Sequence, residues 1–330
     1  MNLINKNDRI FIAGHNGMVG SAIYRQLKKN GYKELLIATR KELNLLNTDA
    51  VEKWFKKNKP DIVIMAAAKV GGIEANSRYS GDFILENLKI QTNIIENSWI
   101  NKVKRFIFLG SSCIYPKFSP QPIKEEYLLS GPLETTNEPY AIAKIAGIKL
   151  CTSLKKQYGF DVINLMPTNL YGPGDNYHET NSHVMPALIK KFYDATQNKV
   201  SKVTCWGTGN PKREFLFVED LAEASIFFLE KISSNNELLF DKNSLFNGII
   251  NIGSGTDISI KELANLISEE IGFQGDILWD VSKPDGTPRK LLDVSKANKL
   301  GWVAKTNLHD GIKKTIRDFI SGIKENTIRA

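Results

Sequence analysis

Residues 9–20 read Arg-Ile-Phe-Ile-Ala-Gly-His-Asn-Gly-Met-Val-Gly, a short apolar run followed by three spaced glycines. The apolar run predicts a buried strand, and the glycines predict a tight turn that opens a helix. Such a turn lets the backbone approach a pyrophosphate, whose charge is stabilised at the helix N-terminus. The spacing is G-x-x-G-x-x-G and not the usual G-x-G-x-x-G. The prediction of a cofactor site therefore depends more on the position of the glycines, directly after a first strand, than on the glycines alone. The residues that we expect to contact a dinucleotide cofactor are Gly14, Gly17, Met18, Val19 and Gly20.

The rest of the first half alternates between apolar runs and amphipathic stretches. Further apolar runs, which predict strands, lie at 34–38, 61–67, 105–109 and 162–166. The amphipathic stretches, which predict helices, lie near 18–30, 49–58, 82–101 and 138–158. Nearly continuous apolar strands, each followed by a helix, are typical of a parallel sheet covered on both faces. We therefore expect an α/β fold with a doubly wound parallel sheet of the Rossmann type.

The second half is less regular. Residues 168–216 contain many Gly, Pro and Asn residues, and residues 233–247 predict an exposed insertion. Helices are predicted near 184–195, 219–231 and 308–324. The domain prediction is a dinucleotide-binding domain at 1–167, with returning pieces near 215–232 and 249–253, and a smaller, discontinuous α/β substrate lobe made mainly of 168–214 and 254–330.

Composition limits the class of protein. Lys and Arg (44) exceed Asp and Glu (36) by 8, but the basic residues are spread along the chain. This pattern favours a Lys-rich solvated surface over a nucleic-acid site, and it would also suit a small polyanionic ligand. The first 13 residues do not fit a secretory signal, and the apolar runs are too short for a membrane span. Cys113, Cys151 and Cys205 are too few and too scattered for a metal cluster or a disulfide framework, so we expect no metal and a cytoplasmic setting.

The end of the second predicted strand indicates which dinucleotide binds. An NAD enzyme usually has Asp or Glu there to hold the adenosine ribose. Residues 37–41 instead read Ile-Ala-Thr-Arg-Lys. The guanidinium of Arg40 suits the 2′-phosphate of NADP(H), with a solvated turn arginine as the alternative.

Two residue pairs have the spacing of a Tyr-x-x-x-Lys catalytic group. Tyr140 and Lys144 lie on one face of a predicted helix, and so do Tyr24 and Lys28. A nearby ammonium would lower the tyrosine pKa and prepare the hydroxyl for proton transfer to a carbonyl. Position favours Tyr140, because it follows the fourth strand, whose carboxyl end leads into Ser111. Ser111 can donate a hydrogen bond to the same carbonyl oxygen.

The chain resembles the extended short-chain dehydrogenase/reductase superfamily over about its first 300 residues. The segments that carry the resemblance are AKVGGI at 68–73, GSSCIYPK at 110–117, TNEPYAIAKIAG at 136–147, MPTNLYGP at 166–173, NSHV at 181–184 and PDGTPRK at 284–290. Within the superfamily the likeness is to enzymes that convert GDP-4-keto-6-deoxy-mannose to GDP-L-fucose. Such enzymes epimerise C3 and C5 and then reduce C4 with NADPH.

The resemblance implies roles that the residues alone do not fix. It assigns Cys113 as the base and His183 as the acid of epimerisation, with His183 and Lys144 also beside the cofactor. Epimerisation next to a ketone needs such a pair, because a proton leaves one face and returns to the other. Cys113 follows Ser111 by two residues, which puts both on one side if the segment is extended. Without the resemblance, the expected alternatives are a buried inert thiol for Cys113 and a surface or capping residue for His183.

The resemblance also assigns the substrate-binding residues, which are Asn169, Lys191, Trp206, Arg213 and Lys290. Arg213 and Lys290 match positions that bind the nucleotide-sugar phosphates. Two positions depart from the pattern: Lys191 and Asn16 stand where family members have arginine. Lysine keeps the charge and loses bidentate geometry, whereas asparagine loses the charge. A homodimer through the helices near 82–101 and 138–158 is expected as well.

Other functions remain open at this point. A 4,6-dehydratase of the superfamily typically has Asp-Glu after the fourth-strand hydroxyl, where this chain has Ser112 and Cys113. A 4-epimerase retains NAD and favours an acid at Arg40. A non-catalytic dinucleotide-binding regulator need not keep Ser111, Tyr140 and Lys144 together, and fold alone does not prescribe activity.

Overall fold

The structure is a computed structural model that describes residues 2–179, 182–283 and 285–329. Its strands are β1 (Ile10–Ala13), β2 (Leu35–Leu36), β3 (Ile62–Met65), β4 (Arg105–Leu109), β5 (Val162–Pro167), β6 (Asn169–Tyr171), β7 (Lys202–Trp206), β8 (Lys212–Phe217), β9 (Ile249–Ile252), β10 (Asp257–Ser259), β11 (Asp276–Asp280) and β12 (Arg289–Lys290). Its helices are α1 (Met18–Lys29), α2 (Thr48–Asn58), α3 (Ile73–Arg78), α4 (Ser80–Ile100), α5 (Glu138–Tyr158), α6 (Val184–Gln197), α7 (Val218–Lys231), α8 (Ile260–Ile271), α9 (Ser295–Lys299) and α10 (Leu308–Glu325).

Six parallel strands form the central sheet in the order β2-β1-β3-β4-β5-β9. This arrangement confirms the predicted doubly wound parallel sheet. Side chains of β1 alternate between the two faces of the sheet, as the pleat requires. Ile10 and Ile12 join the core under α1 and α7, whereas Phe11 and Ala13 join the core under α4 and α5. Burial on both faces explains why the strand reads as an unbroken apolar run.

A second group of strands lies outside the central sheet. Strand β8 pairs with β6, β10 and β12, and β7 pairs with β11. A third apolar core, which includes Phe192, Phe217 and Phe319, packs with these strands. The prediction of irregular structure around one helix in 168–216 was therefore wrong. Strand β7 was missed because it is buried only at alternate positions, and β6, β10 and β12 were missed because they have only two or three residues each.

Two further expectations about the second half need correction. Residues 215–217 do not return to the central sheet but end β8, while α7 packs against α1 and β9 completes the central sheet. The insertion is exposed at 233, 235, 237 and 241–245 but is buried at Ser234 and Leu239. Leu239 is fully buried in the core under α7, because apolar side chains anchor the segment on both sides of its tip.

No helix in the described part of the chain is long and apolar enough to span a membrane.

Backbone contacts explain two of the three glycines in the loop between β1 and α1. Gly14 has φ +91°, and a Cβ there would lie 2.7 Å from the backbone nitrogen of Ala67. A Cβ on Gly20 would lie 2.1 Å from the carbonyl oxygen of Gly14. The loop can therefore close tightly against β3 only if both positions lack a side chain.

We expect Gly20→Ala to destabilise the protein by about 1–3 kcal/mol, because the added methyl group overlaps backbone that cannot rotate away. Gly81→Ala is the matched control: nothing lies within 4 Å of a Cβ at that position in α4, so the change should be neutral or stabilising by up to about 1 kcal/mol. Thermal denaturation of the two variants checks this. Equal melting temperatures would contradict the close contact.

Candidate active site

The turn after β4 places two of the predicted site residues together. Ser111 caps a short 3₁₀ helix (Ser112–Ile114), and its Oγ accepts a hydrogen bond from the backbone nitrogen of Cys113 at 3.2 Å. The segment is thus a turn and not the extended chain on which their proximity was predicted. The two side chains are neighbours because the serine caps the turn that carries the cysteine.

Helix α5 brings Tyr140 and Lys144 to the same place. The Lys144 side chain is buried, and its Nζ donates a hydrogen bond of 2.8 Å to the carbonyl oxygen of Leu109, the last residue of β4. This bond ties the helix to the strand end from which Ser111 follows. Tyr140 lies one helical turn earlier, where it interacts with Ser111 and with Cys113.

The protonation states of this pair differ from the sequence-based expectation. Burial raises the pKa of Tyr140, as does any negative charge on Cys113, and the hydrogen bond with Ser111 lowers it only in part. Lys144 lies 5.9 Å from the centre of the Tyr140 ring and does not lower the tyrosine pKa. Burial also lowers the pKa of Lys144 to about 8. The predicted lowering of the tyrosine pKa was wrong because burial disfavours the charged forms of both groups.

Two donors converge on the sulfur of Cys113. The Nδ2 of Asn137 lies 3.5 Å from Sγ, and the Nζ of Lys290 lies 3.6 Å from it. The sequence analysis did not single out Asn137, although it precedes Tyr140 by three residues at the start of α5. Its Oδ1 is buried and has no hydrogen-bond partner among the described residues. A buried amide oxygen without a partner is a candidate contact for a hydroxyl group of a substrate.

Three of the five expected substrate residues lie on the strands around β8. Arg213 and Lys290 are register partners on β8 and β12. Burial lowers the pKa of Arg213, whereas Asp285, Cys113 and Glu134 oppose that shift. Asn169 on β6 donates from Nδ2 to the backbone oxygen of Glu214 at 2.8 Å. This arrangement directs two cations toward the turn that carries Cys113.

Lys191 and Trp206 form a separate group at β7. Lys191 donates from Nζ to the carbonyl oxygen of Thr204 at 2.8 Å. Trp206 is 64% exposed, and the ammonium of Lys283 lies 5.5 Å from the centre of its ring. An exposed aromatic ring beside cations can stack on a planar group and neutralise phosphates nearby.

Two other predicted residues, His183 and Arg40, lie on other elements of the fold. His183 is the N-cap residue of α6, and its side chain is open to solvent even though surrounding protein lowers its pKa by desolvation. Arg40 is exposed after β2 and makes no side-chain hydrogen bond or ion pair within the described ranges. Glu42 instead accepts hydrogen bonds from Thr39, which leaves the guanidinium available. Asn181 and Pro284, which belong to two of the quoted motifs, lie outside the described residues.

The central sheet, the glycine loop and the group of Ser111, Tyr140 and Lys144 define a class of protein. A Rossmann-type sheet binds dinucleotides at the carboxyl ends of its strands, and the hydroxyl groups gathered there suit proton transfer to a carbonyl. The fold and site are those of an oxidoreductase of the extended short-chain dehydrogenase/reductase class.

Comparisons with known proteins narrow the class. The pattern of the NAD dependent epimerase/dehydratase family matches residues 10–253. The chain is 52% identical to the GDP-L-fucose synthase of Escherichia coli (strain K12) over 312 residues, which cover 94% of this chain and 96% of that protein. It is 51% identical to GDP-L-fucose synthase 1 of Arabidopsis thaliana over 318 residues, which cover 96% and 95%. A solved GDP-mannoheptose C4 reductase from Campylobacter jejuni with NADP bound matches with TM-score 0.87 at 39% identity and covers 96% and 99%. The chain belongs to the NAD dependent epimerase/dehydratase family and, within it, to the GDP-L-fucose synthases.

Position, rather than spacing, decides which Tyr-x-x-x-Lys pair is catalytic. We expect Tyr140→Phe to lower cofactor-dependent ketone reduction by about 10²-fold or more, because the proton donor is lost. Tyr24→Phe is the matched control: Lys28 lies 5.4 Å from the Tyr24 ring on α1, so the pair has equal spacing, and this variant should stay within about twofold of wild type. The rate of reduced-cofactor oxidation measures both, and similar losses would contradict the assignment.

Proposed function

We propose that this chain converts GDP-4-keto-6-deoxy-mannose to GDP-L-fucose by epimerising C3 and C5 and then reducing the C4 ketone with NADPH. The observation that carries the proposal is the convergence of a thiol, a phenol and a serine hydroxyl at the carboxyl end of β4, from Cys113, Tyr140 and Ser111. Relatives named GDP-L-fucose synthase, about half identical along nearly their whole length, support it. A 4,6-dehydratase typically has an Asp-Glu pair where this chain has Ser112 and Cys113, so the thiol at this position argues against that activity.

Epimerisation uses the acidity of the carbons next to a ketone. The thiolate of Cys113 takes a proton from C3 or C5, so that the C–H bond breaks and an S–H bond forms. The electron pair moves onto the C4 oxygen, where Ser111 and Tyr140 donate hydrogen bonds to the developing enolate. His183 returns a proton to the opposite face, which inverts the centre. Since C3 and C5 both flank C4, one set of hydrogen-bond donors serves both inversions.

Reduction uses the same oxygen. NADPH supplies a hydride to C4 when it is bound. Tyr140 gives its proton to the C4 oxygen, and burial, which raises the pKa of its hydroxyl, keeps that proton in place until a negative charge develops. Lys144 holds α5 against the end of β4 and so fixes the position of the phenol.

The cofactor loop fits a dinucleotide. N-cap Gly17 offers no side chain to the first turn of α1, and that turn contains no acidic residue. The backbone N–H groups of this first turn are therefore suited to binding a pyrophosphate. The residues around the pyrophosphate would be Gly14, Met18, Val19 and Gly20. The Nδ1 of His15 is buried and lacks a partner among the described residues, which adds a further polar atom at the loop.

The two lobes divide the ligands between them in this proposal. Residues 1–167, with α7 (Val218–Lys231) and the returning piece near 249–253, bind NADP(H), and Arg40 holds its 2′-phosphate. The lobe made mainly of 168–214 and 254–330 binds the GDP-sugar. Its contacts are Asn169, Lys191, Trp206, Arg213 and Lys290. Lys191 neutralises a phosphate as a point charge, since an ammonium lacks the bidentate geometry of arginine.

We also propose a homodimer in which α4 and α5 of each subunit form a four-helix interface. Leu85 on α4 and Ile142 on α5 support it, because their apolar side chains are 53% and 42% exposed and gain by burial against a second copy. Sedimentation of the protein as a monomer would overturn the proposed homodimer.

The free thiols suit a cytoplasmic location. Recovery of the protein from an oxidising compartment would argue against that location.

The preference for NADPH should depend on Arg40. We expect Arg40→Ala to narrow the preference for NADPH over NADH by about 10-fold, because the charge-assisted contact with the 2′-phosphate is lost. Lys41→Ala, at the next position, is the control and should change the ratio little. Steady-state kinetics with both cofactors measures it. If Arg40→Ala keeps the full preference, another group recognises the phosphate.

Epimerisation and reduction should separate by mutation at Cys113. In D₂O with substrate and NADP⁺, Cys113→Ser should lose about 10²–10⁴-fold of deuterium incorporation at C3 and C5, because the base is gone. In a parallel incubation with NADPH in place of NADP⁺, it should still slowly reduce the unepimerised ketone to a 6-deoxy sugar of the wrong configuration, since Ser111, Tyr140 and Lys144 remain. NMR of the sugar follows both activities.

Two further variants make this test specific. His183→Asn should retain exchange with little inversion, because a proton still leaves but its return to the opposite face is impaired. Cys151→Ser changes a thiol that is buried in the apolar core under α5, and it should behave as wild type. Normal inversion at C3 and C5 by Cys113→Ser would remove that residue from the mechanism.

A further inference from the structure

The sulfur of Cys113 has an unusual environment for a thiol. Its exposure is intermediate, and Asn137 and Lys290 each direct a nitrogen at it, at 3.5 and 3.6 Å. An ammonium group at this distance stabilises a sulfur that carries a negative charge far more than a neutral one. The reaction proposed above requires such a charge, because the thiolate and not the thiol is the base.

Lys290 is free to act in this way. It forms no ion pair with a carboxylate in the described part of the chain, in contrast to its neighbour Arg289, which pairs with Asp257. Its backbone position is fixed from both sides. Strand β12 pairs with β8 at Lys290 itself, and the next residue, Leu291, donates from its backbone nitrogen to the Oε1 of Gln121 at 2.8 Å.

The other charged groups around the sulfur do not replace Lys290. Arg213, the register partner of Lys290, is shared with Asp285 and Glu134 as well as Cys113. Glu134 itself pairs with Lys117 at 2.9 Å. From α5, Tyr140 faces the sulfur as a neutral phenol whose raised pKa keeps it protonated. Lys290 therefore supplies the one cationic hydrogen-bond donor to Cys113 that the described residues contain.

We propose that Lys290 is a positioning residue for the base, whose ammonium, together with the amide of Asn137, stabilises the negative charge that the sulfur of Cys113 carries when it acts as the base. The thiol proton leaves to solvent, and the charged sulfur remains opposite the ammonium until it takes a proton from the sugar. This role adds to the phosphate contact expected of Lys290 and rests on the proposed function for its use in catalysis. The contact itself exists without substrate, so it can be tested apart from that function.

The test is the rate at which iodoacetamide, a neutral reagent, alkylates Cys113 in the full-length protein without substrate. Mass spectrometry of the Cys113 peptide follows the reaction between about pH 6 and 10. Lys290→Met keeps most of the side-chain volume and removes the charge. Arg289→Gln is the matched control, because it removes a cation from the same strand that pairs with Asp257 instead. Circular dichroism verifies that each variant is folded.

We expect Lys290→Met to alkylate roughly 10-fold more slowly than wild type at pH 7 and to reach the wild-type rate at high pH, because one charge at this distance favours the thiolate by about that factor. Arg289→Gln should follow the wild-type profile, and Lys290→Arg should restore most of the rate at pH 7. An unchanged profile in Lys290→Met would overturn the proposal. So would an equal loss at every pH, which indicates altered access to the sulfur rather than altered charge.

Failure of the proposed function would look different. If Lys290→Met shifts the alkylation profile while Cys113→Ser leaves deuterium exchange intact, the contact is real and the thiolate has another use. If alkylation is insensitive to Lys290 while Cys113→Ser abolishes exchange, the base is correct and its activation comes from elsewhere.

Discussion

A buried carboxylate, Glu214, joins the two halves of the candidate site. Its side chain is inaccessible to solvent, and it accepts hydrogen bonds from the backbone nitrogens of Gly255 at 2.7 Å and Leu292 at 2.9 Å. Glu214 lies on β8, Gly255 follows the last strand of the central sheet, and Leu292 follows β12. Burial raises the pKa of Glu214, and the backbone donors oppose that shift. Because unpaired buried polar groups are costly, this set of bonds fixes the three segments relative to one another.

The consequence of this junction is a site assembled from two sheets. The central sheet delivers the hydroxyl groups and the thiol on the turn after β4 and on α5. The strands around β8 deliver cations, with Arg213 immediately before Glu214 and Lys290 two residues before Leu292. A ketone can thus meet proton donors on one side while negative charge, on sulfur or on phosphate, is stabilised from the other.

The sequence allowed the first of these sheets to be predicted in detail and the second hardly at all. Strands buried on both faces must be apolar throughout, so Ile10–Ala13 and Arg105–Leu109 could be recognised without a partner in view. Ser111, Tyr140 and Lys144 follow from that frame, because strand ends and helix turns have fixed spacings. The contact between Lys290 and Cys113 joins residues 177 apart, and it depends on the packing of one sheet against another, which no local pattern encodes. The pKa shifts of Tyr140 and Lys144 were missed for a related reason, since burial is a property of the whole fold.

The central claim is that one ketone-binding site performs both proton transfer and reduction. The most direct measurement supplies GDP-4-keto-6-deoxy-mannose and NADPH to the protein in D₂O and identifies the product by NMR. The account predicts GDP-L-fucose with deuterium from solvent at C3 and C5 and hydrogen from NADPH at C4. A product reduced at C4 that keeps its original hydrogens and configuration at C3 and C5, or no consumption of NADPH at all, would contradict it.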